Sequence, residues 1–157
     1  MYKKILVPLD GSEFSECSLE HVRAVAAGCR VPKVVLLRAV EPLPGVYELG
    51  EEWRRNTEAK LQVEAKDYLS KVANDLKGDL KKGGVAIETV VVKGNPAYEI
   101  LEYSKKNQID LIIMSTHGRS GVSRWVMGSV ADRVLRHSLA PVLIVSPAGC
   151  RGSEARG

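Results

Sequence analysis

The chain has 157 residues, of which 45% are apolar and 27% are charged, and its formal net charge is +4. This length supports one globular domain with a substantial core. Lysine and arginine are scattered along the sequence, which argues against a nucleic-acid-binding surface because such surfaces concentrate positive charge. No apolar run approaches the roughly 18 residues that a membrane span needs, and the first residues do not form a signal-peptide pattern.

The chain contains three cysteines, Cys17, Cys29 and Cys150, and none has the spacing of a metal site or a redox motif. An odd and sparse set argues against a disulfide framework and is typical of a reducing cytoplasm. We therefore expect a cytoplasmic protein whose cysteines are small apolar side chains, with one exposed thiol near the end of the sequence.

Five short runs rich in valine, isoleucine and leucine predict β-strands. They cover residues 3–9, 33–40, 86–92, 110–115 and 141–146. Three of the runs are nearly continuous rather than alternating, which is typical of strands that are covered on both faces.

Segments with helical periodicity lie between these runs. They cover residues 12–28, 51–77, 95–107 and a segment that begins near Ser129. Ser12 is predicted to cap the first helix, and Asn95 followed by proline predicts the start of the third. Ser129 and Asp132 have the spacing of a capping box at the start of the last helix.

The regular alternation of strands and helices predicts an α/β fold. Parallel strands need helical crossovers, so we expect an open five-stranded parallel sheet with helices on both faces. A single domain is expected over residues 1–146, followed by a flexible C-terminal tail at 147–157.

The loop after the fourth predicted strand is the richest candidate for a ligand site. Open parallel sheets bind ligands at the carboxyl ends of their strands. The stretch MSTHGRSGVSRWVMGSV, residues 114–130, has glycines that let backbone N–H groups approach a phosphate. Gly128 and Ser129 then open a helix, whose N-terminus favours anions. The loop has neither the lysine of a P-loop nor the position of a dinucleotide-binding fingerprint.

Four segments together resemble the universal stress protein family over residues 2–146. They are KKILVPLDGSEFS, VVLLRAVEP, VVKGNPAYEIL and DLIIMSTHGRSGVSRWVMGSVADRVLRHSLAPVLIV. Nucleotide-binding members of the family carry Gly, two residues, Gly, nine residues, and then Gly-Ser or Gly-Thr. Gly118 and Gly128-Ser129 match this pattern, and Ser115 stands in place of the first glycine. Serine has less freedom than glycine at positive φ, so the backbone at Ser115 bears on nucleotide affinity.

The resemblance implies an ATP-binding protein with a regulatory or stress-response role and little or no hydrolysis. It also implies a Rossmann-like sheet of order 3-2-1-4-5, and AMP or ADP as related ligands. Mg²⁺ or Mn²⁺ would be carried on the phosphates rather than in a protein cage. A homodimer would form through the last strand, residues 141–146, since an apolar sheet edge invites pairing with a second copy.

The same resemblance implies the residues that hold the nucleotide. They are Pro8, Leu9, Asp10, Ala39, Gly94, Ser115, Gly118, Gly128, Ser129 and Val130. Asp10 would bond the ribose hydroxyls, as an acid at a strand end does, while Ala39 would contact adenine through its backbone. Arg119 and Arg124 lie inside the loop and could reach a terminal phosphate, although both could equally be solvated loop charges.

The sequence is compatible with several alternatives. Asp10 could be only a helix-capping acid. His117 has no partner at metal-ligand spacing, which favours a structural role in the loop. The protein could be a slow ATPase or nucleotide-processing enzyme, although no general base is obvious. It could also be a nucleotide-free dimeric interaction module in which Ser115 marks lost binding.

Overall fold

The computed structural model describes residues 1–43, 46–117 and 127–146. Five strands form one sheet: β1 Lys4–Pro8, β2 Lys33–Val40, β3 Ala86–Lys93, β4 Leu111–Ser115 and β5 Val142–Val145. Every neighbouring pair is parallel, and the order is β3-β2-β1-β4-β5. The predicted α/β class, parallel sheet and strand order are therefore confirmed, and β5 lies at one edge. The tail predicted at 147–157 lies outside the described residues.

Five α-helices connect or flank the strands in the described parts of the chain. They are α1 Glu13–Glu16, α2 Ser18–Gly28, α3 Glu51–Asp79, α4 Pro96–Lys106 and α5 Ser129–His137. Short 3₁₀ helices cover Val46–Leu49 and Lys81–Gly83. No helix in the part of the chain that the structure describes is long and apolar enough to cross a membrane.

The helices cover the sheet on both faces, with α2 and α3 on one and α4 and α5 on the other. On the first face, Val7, Leu36 and Ile113 of the sheet pack with Val22 of α2 and Leu69 of α3. On the second face, strand residues whose side chains point the other way pack with residues of α4 and α5. The strand residues are Leu6, Val35, Leu37 and Ile112, and the helix residues are Ile100 and Val134. Both sides of the central strands are buried, which is why these strands read as continuous apolar runs.

Two of the predicted helices differ from the structure, although Ser12 caps the first of them as predicted. The segment predicted as one helix at 12–28 is divided at Cys17, whose N–H donates to the carbonyls of Phe14 and Ser15 in a tightened turn. The last helix is capped by Gly128 rather than Ser129, with no side-chain bond to its backbone. The N–H of Gly128 donates to the carbonyl oxygen of Thr116 at 2.8 Å, and this contact fixes the chain at Gly128 before it enters the helix.

The start of α4 agrees with the sequence. Asn95 is its N-cap, Pro96 follows as the first helical residue, and the Asn95 side chain accepts a hydrogen bond from the N–H of Tyr98 at 3.2 Å. Because this cap fixes where the helix begins, it also places Asn95 and Pro96 at the carboxyl edge of the sheet.

The cysteines depart in part from expectation. Cys29 is a free thiol, as the sequence predicts. Cys17 is disulfide-bonded, so the expectation that it is a thiol is wrong. The side chain of Cys17 is buried among the apolar residues of the α2–α3 face, as a small apolar side chain should be.

Candidate functional site

A cavity of about 700 Å³ lies at the carboxyl edge of the sheet. Its walls come from the ends of β1, β2 and β4, and from the starts of α4 and α5. In the sheet, β2 and β3 lie on one side of β1 and β4 and β5 on the other, so the strand order reverses direction at β1. The cavity therefore occupies the crevice in which open α/β sheets bind ligands.

Most of the residues predicted to hold a nucleotide meet in this cavity. Its lining includes Pro8, Leu9, Asp10, Ala39, Ser115, Gly128, Ser129 and Val130. Gly118, Arg119 and Arg124 lie outside the described residues. The sequence thus brings together residues that are up to 122 positions apart at one edge of the sheet.

Gly94 stands apart from the other predicted residues because it is not in the cavity lining. Its φ is +147°, and a β-carbon there would lie 2.5 Å from Oε1 of Glu99. Its N–H donates to the carbonyl oxygen of Val40 at 3.0 Å. Gly94 therefore shapes the turn between β3 and α4, and the next two residues, Asn95 and Pro96, reach the cavity instead.

Asp10 follows β1 and is tied to the start of α1. Its Oδ1 accepts hydrogen bonds from the N–H of Ser12 at 2.9 Å and from the Ser12 hydroxyl at 2.6 Å. Ser12 is the N-cap, since its hydroxyl oxygen accepts from the N–H of Ser15 at 3.2 Å. Asp10 is thus not the capping residue itself: it binds the capping residue Ser12 and also lines the cavity.

Arg38 is a cavity residue that the sequence reasoning missed. Its guanidinium carbon lies 5.1 Å from the centroid of the Tyr68 ring, which is the geometry of a cation–π contact. The signal was present, because Arg38 interrupts the apolar run VVLLRAV. A charged side chain at the carboxyl end of an inner strand has to face either solvent or a site.

Tyr68 lies on α3 and contacts α1, next to residues 9–12, which we call the Asp10 loop. Its hydroxyl donates to Oε1 of Glu16 at 2.8 Å. Burial raises the pKa of the Tyr68 hydroxyl well above its usual range, and the bond to the Glu16 carboxylate raises it further. Tyr68 therefore stays neutral and acts as a hydrogen-bond donor at physiological pH.

The backbone at Gly128 lies close to the backbone at Thr116. A β-carbon at Gly128 would lie 2.7 Å from the carbonyl oxygen of Thr116, closer than side-chain carbons come to backbone atoms. The φ of Gly128 is −60°, which any residue adopts. Glycine is needed here because of the close contact, which lets the start of α5 lie against the end of β4.

His117 lies beside this contact and also lines the cavity. Its Nδ1 is 2.8 Å from the hydroxyl oxygen of Thr116. Its Nε2 is buried and has no hydrogen-bond partner among the residues that the structure describes. The Thr116 contact agrees with the structural role that the sequence favoured.

Ser115 is the last residue of β4, where it pairs with Val145 of β5. Among the described residues other than glycine, positive φ occurs at Arg30 and Gln108, so Ser115 is not one of them. The extra conformational freedom of glycine is therefore not required at Ser115, and the side chain itself is buried.

Charge in the described part of the lining is mixed. Asp10 and Glu41 are acidic, and Arg38 is basic. No group of three or more histidine, cysteine, aspartate or glutamate side chains in residues 1–43, 46–117 and 127–146 could hold a metal ion. A cation bound here would accordingly have to bring most of its ligands with a bound molecule.

Comparison with known proteins agrees with this geometry. A family model described as the Universal stress protein family matches residues 1–146. Universal stress protein MJ0531 of Methanocaldococcus jannaschii is 36% identical over an alignment that covers 92% of this chain and 82% of that protein. Universal stress protein MJ0577 of the same organism is 31% identical, with 92% and 95% covered.

Solved structures agree as well. The structure of MJ0577 superimposes with a TM-score of 0.78 at 33% identity, over 93% of this chain and 96% of that one. A universal stress protein family member from Arabidopsis thaliana with AMP bound has a TM-score of 0.64 at 16% identity, with 99% and 95% covered, and so shares the fold. The family match, the two relatives and the sheet order together establish that this chain belongs to the universal stress protein family.

Proposed function

We propose that this chain binds ATP in the cavity at the carboxyl edge of the sheet and acts as a regulatory or stress-response protein. The observation that carries the proposal is the meeting of eight predicted nucleotide residues in the lining of one cavity. A volume of about 700 Å³ is within the usual range for sites of small molecules and cofactors. AMP and ADP are related ligands of the same pocket.

In this proposal, different residues of the cavity contact different parts of the nucleotide. Asp10 accepts hydrogen bonds from the ribose hydroxyls. The backbone at Ala39 and the residues Pro8 and Leu9 contact the adenine. Ser115, Gly128, Ser129 and Val130 hold the phosphates and ribose at the start of α5, where the helix dipole favours anions.

The sequence neighbours of that segment complete the proposed phosphate site. Gly118 and Arg119 supply further contacts from the same loop, and Gly94 shapes the turn beside the base. Mg²⁺ or Mn²⁺ is carried on the phosphates, since the described residues offer no cage.

We propose that the bound ATP undergoes little or no hydrolysis. Bound ATP would then bias the protein toward one conformation or partner state. The cytoplasm is the proposed compartment.

Calorimetric titration with ATP and Mg²⁺ tests the proposal on the wild type and on Asp10→Asn. Wild type is expected to bind in the micromolar range. The asparagine oxygen can still accept from Ser12, but its NH₂ group cannot accept from ribose. Loss of hydrogen bonds to a charged acceptor costs about 1.5–3 kcal/mol, or roughly a 10- to 150-fold weaker Kd.

Asp75→Ala is the matched control for that titration. Asp75 is an exposed carboxylate on α3, away from the lining of the cavity. It should bind ATP as the wild type does. No ATP binding by the wild type would favour the nucleotide-free interaction module, and steady release of phosphate that Asp10→Asn abolishes would favour the ATPase.

We also propose a homodimer that forms through β5. This strand lies at the edge of the sheet, and its first three residues are only partly buried, so its outer side can pair with a second copy. Light scattering at micromolar concentration should give twice the mass of one chain. The mass of a single chain under those conditions would contradict the proposal.

A further inference from the structure

Four residues in and around the Asp10 loop contact one another and are not among the proposed nucleotide contacts. We call Gly11, Glu16, Arg38 and Tyr68 the loop support. A β-carbon at Gly11 would lie 3.1–3.2 Å from three atoms of the Arg38 guanidinium, and the φ of Gly11 is +85°. The loop backbone therefore rests directly on the end of the arginine side chain, in a conformation that glycine adopts without strain.

Tyr68 connects this arginine to α1. The centroid of its ring lies 5.1 Å from the guanidinium carbon of Arg38. Its hydroxyl donates a hydrogen bond to Oε1 of Glu16 at 2.8 Å. The loop support thus links β2, α1 and the long helix α3.

The side chain of Asp10 is fixed by the same loop. Oδ1 binds Ser12, and the N–H of Asp10 lies 3.3 Å from the hydroxyl oxygen of Ser15. Ser15 and Glu16 are consecutive residues of α1. Because Ser15 precedes Glu16 in the helix, a displacement of Glu16 is expected to move Ser15 and so disturb its contact with Asp10.

We propose that Tyr68 is a positioning residue, which through its contacts with Arg38 and Glu16 holds the Asp10 loop in the geometry that the ribose needs. The inference rests on the proposed function. Tyr68 is not in the cavity lining, so it acts on the nucleotide only through the residues that it contacts, Arg38 and Glu16. A loop that is held in its bound geometry avoids the entropic cost of being ordered when the ligand binds.

A double-mutant cycle between Tyr68→Phe and Asp10→Asn tests this coupling by ATP calorimetry. Phenylalanine keeps the ring under Arg38 and removes the bond to Glu16. In the wild-type background, Tyr68→Phe should weaken ATP binding about 3- to 10-fold, the range expected for one lost hydrogen bond. In the Asp10→Asn background, it should change the Kd by less than about 2-fold, because the acceptor that it positions is no longer there.

Tyr98→Phe is the matched control, since Tyr98 is an exposed tyrosine on α4. It should leave ATP binding unchanged in both backgrounds. An equal loss from Tyr68→Phe in both backgrounds would mean a general structural role, and no loss in either would mean that the loop needs no support. Either result overturns the inference while the wild type still binds ATP. Absence of binding by the wild type contradicts the proposed function and the inference with it.

Discussion

Replacing Gly128 with alanine is expected to weaken ATP binding by about 10-fold or more and to lower the free energy of unfolding by about 1–3 kcal/mol. The added carbon would lie 2.7 Å from the carbonyl oxygen of Thr116. That oxygen belongs to the backbone and already accepts from the N–H of Gly128, so the contact can relax only if α5 moves away from β4. The displaced helix start would no longer meet the phosphates of the proposed ligand. Urea denaturation and ATP calorimetry measure the two effects.

Gly78→Ala is the control for this substitution. Gly78 lies inside α3, and a β-carbon there would meet no atom within 4 Å. Alanine is the better helix former by about 0.8–1 kcal/mol, so Gly78→Ala should stabilise the protein and leave ATP binding unchanged. The two glycines are thus expected to respond with opposite signs. A Gly128→Ala protein as stable as the wild type would mean that the contact with Thr116 is easily relieved.

Replacing Ile113 with alanine is expected to cost about 2–5 kcal/mol of unfolding free energy. Ile113 lies in β4 and has 0% exposure, in the core cluster shared with α2 and α3. Its removal leaves a cavity between the sheet and both helices, because close-packed neighbours move only partly into the space. Domains are stable by about 5–15 kcal/mol in total. The variant would therefore lose a large share of its stability, as measured by urea denaturation.

Two companion variants separate lost packing from other causes. Ile113→Val removes one methylene group from the same site and should cost about 0.5–1.5 kcal/mol. Val63→Ala shortens an apolar side chain that is 56% exposed on α3, and it should change stability by less than about 0.5 kcal/mol. An Ile113→Ala protein no less stable than Ile113→Val would indicate that the sheet closes around the site.

The strands could be predicted from the sequence almost to the residue, because the cause is local. The run at 33–40 gives β2 with the same limits, and the run at 110–115 gives β4 at Leu111–Ser115. Apolar side chains at consecutive positions suit only a segment that is buried on both faces. Strand order is not local information, and it came from the family resemblance.

The start of the last helix shows the limit of prediction from a local sequence pattern. Ser129 and Asp132 have capping-box spacing, yet the helix is capped by Gly128. The deciding contact joins Gly128 to Thr116, which are 12 positions apart in the sequence. A propensity at one end of a helix is worth about 1 kcal/mol and gives way to such a contact between segments.

The loop residues of the candidate site could be predicted from the sequence, but the contacts behind them could not. Asp10, Gly128 and Ser129 are polar or small residues that follow apolar strands. The partnership of Arg38 with Tyr68 depends on how α3 lies across β2, and nothing in either segment alone specifies it. The family resemblance implies that Gly94 approaches the base; in the structure Gly94 lies outside the cavity lining, and a β-carbon there would meet the Glu99 side chain.

β2 and β3 extend past the end of β1, and the extra residues of β2 line the cavity. β1 pairs with β2 only as far as Pro8 and Leu37, whereas β2 continues beside β3 through Arg38, Ala39 and Val40. Along these three residues, the main-chain groups that point toward β1 are not used in pairing with it. A ligand with hydrogen-bonding groups along one edge can pair with such a row, as an added peptide strand does. Recognition by the main chain does not depend on which side chain is present, so we expect evolution to be free to change the identity of residue 39 while keeping it small.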